Sequence, residues 1–206
     1  MLLVYNRALT MSYSTAEIIT EALLVNVFAP RPVFWVTTSG PDATINMAPF
    51  SAITIVSNSP PTVLLAIERC PDGSLKRSSE NIIERRDFVV NAPTKEQLAD
   101  LMLSADPTIA GGQRARIANV RMTPAHHVGS QLIVGCNSAL ECRLDRHEAL
   151  EGGPGSDIFL AEVLAVHLSP TKVVPRPFLG ALGYEWFVSE EGLHHVRQPY
   201  LEAARD

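Results

Sequence analysis

The sequence predicts a mainly β fold with peripheral helices, an α+β domain whose short strands form a barrel or sandwich. Three features carry this reading. Short β-branched and aromatic runs recur with turn residues between them, few segments show helical periodicity, and no linker or internal repeat divides the chain. At 206 residues the chain can build one sizeable core.

Taken in order, Ser14 and Glu17 form a capping-box pattern ahead of an apolar-rich run from Ile18 to Val27, which reads as a helix. Pro30 and Pro32 end it, because proline removes a donor and restricts the residue before it. Val33 to Thr38 is aromatic and β-branched and reads as a strand, with turn chemistry at Ser39-Gly40-Pro41-Asp42. Ala43 to Ile55 returns as a second strand interrupted at Pro49, a residue suited to an edge or a bulge. After a turn at Asn58 to Pro61, Thr62 to Ile67 is a third strand, and Pro71-Asp72-Gly73 is a further turn. Leu75 to Arg86 reads as a helix with Ile82 and Ile83 on its apolar face and Arg85-Arg86 at a solvated end. Phe88 to Asn91 is a short strand. Thr94 to Leu103 is a second helix, with Gln97 completing a capping box. Ser104 to Arg116 reads as loop. Strand-like pattern resumes at Leu132, and Ala139 to Leu144 and Ile158 to Leu168 alternate on either side of the loop Gly152-Gly153-Pro154-Gly155. Gly183 to Ser189 is the last expected strand.

Composition narrows the function classes. An apolar share of 46% and a charged share of 19% fit a soluble globular domain. A net charge of −5 argues against a nucleic-acid partner, and any phosphate ligand must be held by local donors. No apolar run approaches the roughly 20 residues of a membrane span, and Met1 to Val4 is too short for a secretory core. Met11-Ser12 is a second candidate start, so residues 1–13 read as an N-terminal extension and 14–206 as a single domain. Three cysteines without a framework fit a reducing cytoplasm, and Cys142, alternating with Leu140 and Leu144, reads as core. Within His126-His127 and His194-His195, strand neighbours point to opposite faces. Asp145, His147 and Glu148 lack ligand spacing, so no metal centre is expected.

Chemistry concentrates in a few segments. The strand pair Arg31 to Thr38 and Asn46 to Ser51 brings the hydroxyls of Thr37, Thr38 and Ser51 to one region, and Pro49 frees backbone groups there for a ligand. Lys76 and Ser78 stand at the start of a helix, where unpaired N–H groups, a cation and a hydroxyl make an anion site. An aromatic, backbone-lined slot beside such a site suits a flat phosphorylated cofactor. No Ser-His-Asp arrangement is apparent. No GxGxxG follows a strand, so no separate dinucleotide-binding unit is expected.

The runs PRPVFWVTT, NMAPFSAITIVSNSPPTVLLAI, PDGSLKRSSENI and FVVN, with SALECRL, FLAEVLAVHL and a weaker FLGALGY, resemble the flavin reductase-like family, including the flavoredoxins. The resemblance covers most of Pro30 to Tyr184. It implies an FMN-binding split β-barrel of Greek-key type, assembled as a cytoplasmic homodimer with FMN near the subunit interface. It implies that Trp35, Val36, Thr37 and Thr38, with Asn46, Ala48, Pro49, Phe50 and Ser51, line the cofactor largely through backbone and hydroxyl groups. Lys76 and Ser78 would hold the phosphate. Ser78 stands where the family usually has Thr, Arg77 where an acid is common, and Ala181 alters the C-terminal glycine motif. The implied activity is that of a flavin reductase-type oxidoreductase. Its chemistry takes place at the flavin N5, and NADH or NADPH is the transient donor. The alternatives are a non-enzymatic flavoredoxin-like electron carrier passing electrons to a protein partner, and a pyridoxamine-phosphate-oxidase-like enzyme.

Overall fold

The computed structural model describes residues 27–196 apart from 107, 110–112, 114–117, 153, 171–178, 183–185 and 190. The extension over 1–13 and the helix expected from Ile18 lie outside these, except that Val27 and Phe28 are helical.

The chain is mainly β, as expected. A seven-stranded antiparallel sheet combines β2 (Phe34–Ser39), β3 (Ile45–Phe50), β4 (Ile53–Asn58), β5 (Pro61–Glu68), β6 (Asp87–Ala92), β9 (Ser138–Leu150) and β10 (Ser156–Leu168). Their order across the sheet is β3-β2-β6-β9-β10-β5-β4. A second sheet has the order β1 (Arg31–Pro32), β11 (Leu179–Ala181), β12 (Trp186–Ser189), β13 (Gly192–His195). β7 (Met122–Pro124) and β8 (Gln131–Ile133) form a small hairpin. Two α-helices, α1 (Arg77–Arg85) and α2 (Leu98–Leu103), and a 3₁₀ turn at Lys95–Gln97 complete the described elements.

The edge strands β3 and β4 are consecutive in sequence and separated only by Ser51 and Ala52. Three residue steps span at most about 11 Å. The two edges of the sheet therefore approach each other at this point, and the sheet must curl. The Ala66 N–H donates to the Ala52 carbonyl at 2.9 Å, so the linker itself is tied to β5. The sheet is rolled but not closed by a ladder between β3 and β4, which is the geometry of a split barrel.

Alternation along the strands sends side chains to two cores. Inside the roll, Val36, Leu65, Ile82, Phe88, Cys142 and Phe159 pack together, all essentially inaccessible. On the outer face, Trp35 and Met47 meet Leu98 and Leu101 of α2 and Leu179 and Phe187 of the second sheet.

Several local expectations are corrected. The interruption of the second strand falls after Phe50, not at Pro49. Pro49 pairs with Trp35 inside β3, and an edge strand tolerates the missing N–H. α1 begins at Arg77, with Lys76 still extended at φ −71°, ψ 151°. The segment after Thr94 starts as a 3₁₀ turn, Lys95–Gln97, before α2, with the capping box in place and the Thr94 N–H donating to Gln97 Oε1 at 3.0 Å. Arg85 and Arg86 are exposed at the end of α1, as expected, and both also tie to backbone carbonyls. Arg85 donates to the carbonyls of Gly40 and Pro41, and Arg86, at φ 61°, donates to those of Leu144 and Asp145. The strands β7, β11 and β13 are too short to show a period in sequence.

Gly180 is required by close packing. A Cβ there would stand 3.0 Å from Pro30 Cβ, 3.4 Å from Val188 Cγ1 and 3.5 Å from the Arg31 carbonyl oxygen. Gly180→Ala should lower stability by about 1–3 kcal/mol through overpacking, read as a drop in the urea midpoint at constant m-value.

Candidate functional site

The β2–β3 pair distributes the expected lining residues over both faces of the sheet. Phe34, Val36 and Thr38 pair with Phe50, Ala48 and Asn46 on the inner face, while Trp35 and Thr37 pair with Pro49 and Met47 on the other. The hydroxyls of Thr37 and Thr38 therefore do not share a region, because adjacent strand residues diverge.

On the outer face, the Trp35 indole N–H donates to Ser104 Oγ at 2.7 Å within the second core. Thr37 Oγ1 donates to the Gln131 carbonyl at 2.5 Å and accepts from Asn91 Nδ2 at 3.3 Å. Asn91 Oδ1 in turn accepts the Ile133 N–H at 2.9 Å. These side chains dock α2 and the β7–β8 hairpin onto the sheet. Of Trp35 and Thr37, only the backbone remains for a ligand.

The inner face carries a polar cluster under α1. Serine and asparagine three apart fall on one helix face, and here Ser78 and Asn81 point down at the Thr38–Asn46 pair. Asn46 Nδ2 donates to Ser78 Oγ at 2.9 Å, and Asn81 Nδ2 donates to Thr38 Oγ1 at 2.9 Å. All four side chains are buried. Two atoms of this region lack a hydrogen-bond partner although buried, the Asn46 carbonyl oxygen Oδ1 and Ser79 Oγ. Unpaired buried polar atoms are costly and rare in folded proteins. Ser78 Oγ accepts from Asn46 and keeps its own O–H to donate.

Lys76 ends the preceding loop, half-buried, immediately before the first free N–H groups of α1. That loop is fixed from below. Asp72 accepts from the N–H and the hydroxyl of Ser74, Gly73 adopts φ +82°, and the Arg69 N–H donates to the Gly155 carbonyl at 3.0 Å. Under it, the buried Asp157 carboxylate accepts two bonds from Arg69 at 3.1 Å and one from His147 at 2.8 Å. Burial alone would raise the Asp157 pKa, but the Arg69 and His147 bonds outweigh it and hold the carboxyl below its ordinary range.

Thr38, Val36, Asn46, Ala48, Phe50 and Ser78 thus share the inner face and α1, with Lys76 at the helix start. Ser51 stands in the linker between the two sheet edges, beside a cavity also lined by Arg31. Arg31 and Asn81 lie in the segments singled out from the sequence but were not assigned a role there, and Ser79 was not singled out. The Ser78–Asn81 helical spacing places Asn81 over the sheet, and the position of Arg31 depends on pairing with β11.

Other candidates fall away. Burial pushes the Cys136 and Cys142 thiols up to about 12, so neither is a ready nucleophile. No group of His, Cys, Asp and Glu among the described residues is arranged for a metal ion, and no described helix is long and apolar enough to cross a membrane.

The sequence profile of the Flavin reductase like domain matches residues 28–180. A relative from Aquifex aeolicus is 25% identical over 125 residues, 61% of this chain, and the match spans 64% of that relative's own length. The protein YwrF of Bacillus subtilis is 29% identical over 157 residues, 72% of this chain and 74% of its own. Among solved structures, nitrilotriacetate monooxygenase component B from Bacillus cereus superposes with a TM-score of 0.79 at 24% identity, over 87% of this chain and 95% of that one. A protein with a split barrel domain from Shewanella frigidimarina superposes at 0.71 with 11% identity, over 91% and 99%. These two likenesses concern the fold. The profile, spanning the rolled sheet, the α1 cluster and the linker at the split, assigns the family: the chain belongs to the flavin reductase-like family, built on a split β-barrel.

Proposed function

We propose that the protein is an FMN-dependent reductase that takes electrons from NADH or NADPH. The observation that carries this is the buried cluster under the start of α1, where Asn46 Oδ1 and Ser79 Oγ lack partners beside Ser78 and Lys76. A phosphate at the α1 N-terminus would take the Lys76 ammonium, the Ser78 hydroxyl and the first helical N–H groups. The flavin ring would lie along Asn46, Ala48, Pro49, Phe50 and Ser51, with Trp35, Val36, Thr37 and Thr38 contributing backbone. Bound FMN supplies two-electron chemistry at N5. The protein's part is to hold the phosphate, orient the ring and limit its contact with water.

The working unit is proposed to be a cytoplasmic homodimer. The edge strand β4 leaves Ile55 70% and Val56 53% exposed, and an apolar edge of this kind needs a cover. Light scattering should report twice the chain mass.

FMN, FAD and riboflavin are titrated into the purified chain and followed by flavin fluorescence. FMN should bind far more tightly than riboflavin, and NADH or NADPH should bleach the bound flavin near 450 nm (roughly; a cofactor property). Lys76→Ala should weaken FMN by about 10- to 100-fold, the value of a charge-assisted contact, and leave riboflavin unchanged. Equal FMN affinity in the variant would move the phosphate elsewhere. Binding without bleaching would make the protein an electron carrier.

A further inference from the structure

The connection that carries Lys76 starts on a buried charge. β5 ends at Glu68, and Arg69 is the first residue of the path to α1. Its guanidinium grips Asp157 with two prongs, Nε to Oδ2 and Nη2 to Oδ1, both at 3.1 Å. The Asp157 side chain is fully inaccessible and shares the inner row of β10 with Phe159 and Ala161. His147 of β9 bonds the same carboxylate at 2.8 Å, and its ring stacks on Phe159 with centroids 4.9 Å apart. A buried ion pair is weak evidence for stability, because its desolvation offsets its attraction. What this one does is fix a geometry, since a guanidinium fork on a carboxylate sets both distance and plane.

The backbone on either side is set as closely. The Arg69 N–H donates to the Gly155 carbonyl at 3.0 Å. A Cβ at Gly155 would stand 2.7 Å from the Leu150 carbonyl oxygen and 3.7 Å from Arg69 Cδ, so only glycine lets the β9–β10 loop lie against this stem. Beyond Arg69 the chain closes a tight turn. The Cys70 N–H donates to the Ser74 carbonyl at 2.9 Å, and the Gly73 N–H to the Cys70 carbonyl at 2.8 Å. Leu75 then leads to Lys76, whose carbonyl accepts the Glu80 N–H of α1 at 3.1 Å. Arg69 holds the turn at one end and α1 holds it at the other.

We propose that Arg69 is a positioning residue for the flavin phosphate: locked on Asp157, it fixes the path of the turn and so presents Lys76 to the ligand. The proposal rests on the assignment of the phosphate to Lys76 and α1. Lysine is a point charge on a flexible stem, so its affinity for a phosphate depends on how well its backbone is placed beforehand. The Arg69 guanidinium is itself committed to Asp157 and acts only through the turn.

The test is a double-mutant cycle on the full chain, with FMN and phosphate-free riboflavin affinities read by flavin fluorescence. Arg69→Lys keeps a cation for Asp157 and loses the fork. It should weaken FMN about tenfold, the scale of one charge-assisted bond, and leave riboflavin unchanged. In the Lys76→Ala background the same substitution should change FMN by less than about twofold, the scatter of independent sites. Asp157→Asn is the second variant and should reproduce both results. Hydrogen exchange at the Cys70 and Gly73 amides, measured without flavin, should quicken in both variants while the β6 amides stay protected. Unchanged FMN affinity, unchanged exchange, or an equal loss with and without Lys76 overturns the proposal. So does a matching loss of riboflavin, which would make the ion pair a support of the fold alone. Unaltered FMN binding in Lys76→Ala by itself would remove the phosphate assignment and this role together, whereas a loss there that is not coupled to Arg69 removes only this role.

Discussion

Replacing Trp35 with alanine is expected to lower the unfolding free energy by about 3–5 kcal/mol, the cost of deleting a large buried aromatic. The indole is fully inaccessible and packs with Met47, Leu98 and Leu101 between the sheet and α2. Trp35→Phe should cost only about 1 kcal/mol. It loses the bond to Ser104, but the Ser104 hydroxyl keeps its donation to the Leu101 carbonyl at 2.6 Å. Urea denaturation gives both values. The same phenylalanine variant separates backbone from side-chain contact with a flavin. FMN affinity within about twofold of the parent, a few tenths of a kcal/mol, is expected if only the Trp35 backbone meets the cofactor. A larger loss would mean that the indole reaches it.

Glu141 should give the second large effect. Its side chain is fully buried in β9, and its carboxylate accepts the N–H of His126 at 3.0 Å, the N–H of His127 at 2.6 Å and His167 Nε2 at 2.7 Å. Asp87 holds the next residues of the same loop through the N–H groups of Gly129 and Ser130. Glu141→Ala leaves three donors without their acceptor, at about 3–5 kcal/mol in total. Glu141→Gln retains one carbonyl acceptor and should cost about 1–3 kcal/mol.

These variants also differ in their response to acid. Burial would raise the Glu141 pKa, but the bonds from His126, His127 and His167 together outweigh burial and hold it below its ordinary value of 4.5. A carboxyl with a depressed native pKa contributes stability that is complete above the unfolded value and disappears as pH falls through the native one. Tm measured from pH 7 downward should hold to about pH 4.5 and then fall, and the gap between parent and Glu141→Gln should narrow below that point. A gap that stays constant to pH 3 would show that Glu141 is not charged in the folded chain. Asp157, also depressed, adds acid sensitivity below its ordinary 3.8 in both proteins.

Local chemistry made much of this protein legible from its residues alone. The strand at Val33 to Thr38, the alternation through Ala139 to Leu144 that buries Cys142, and the Thr94–Gln97 capping box are all set within a few residues, and each appears in the fold. The quoted motifs likewise pointed to the family through consecutive positions. What consecutive positions could not say is which face of a strand a cofactor would use. Period-two alternation groups Trp35 with Thr37 and Val36 with Thr38, but only the packing of α1 on one side and α2 on the other gives those groups different roles.

The same limit hid the split itself. β3 and β4 are neighbours in sequence and opposite edges in space, an outcome fixed by where β6, β9 and β10 insert. Arg69 with Asp157, Glu141 with His126 and His167, and Arg31 in its cavity all depend on segments far apart along the chain. Local propensity acts over a few residues, whereas the partner of a buried charge is chosen by sheet order and register. The sequence by itself therefore determined the elements and the family. Tertiary structure alone decided which buried groups are paired, which are left open, and where the two edges of the sheet approach each other.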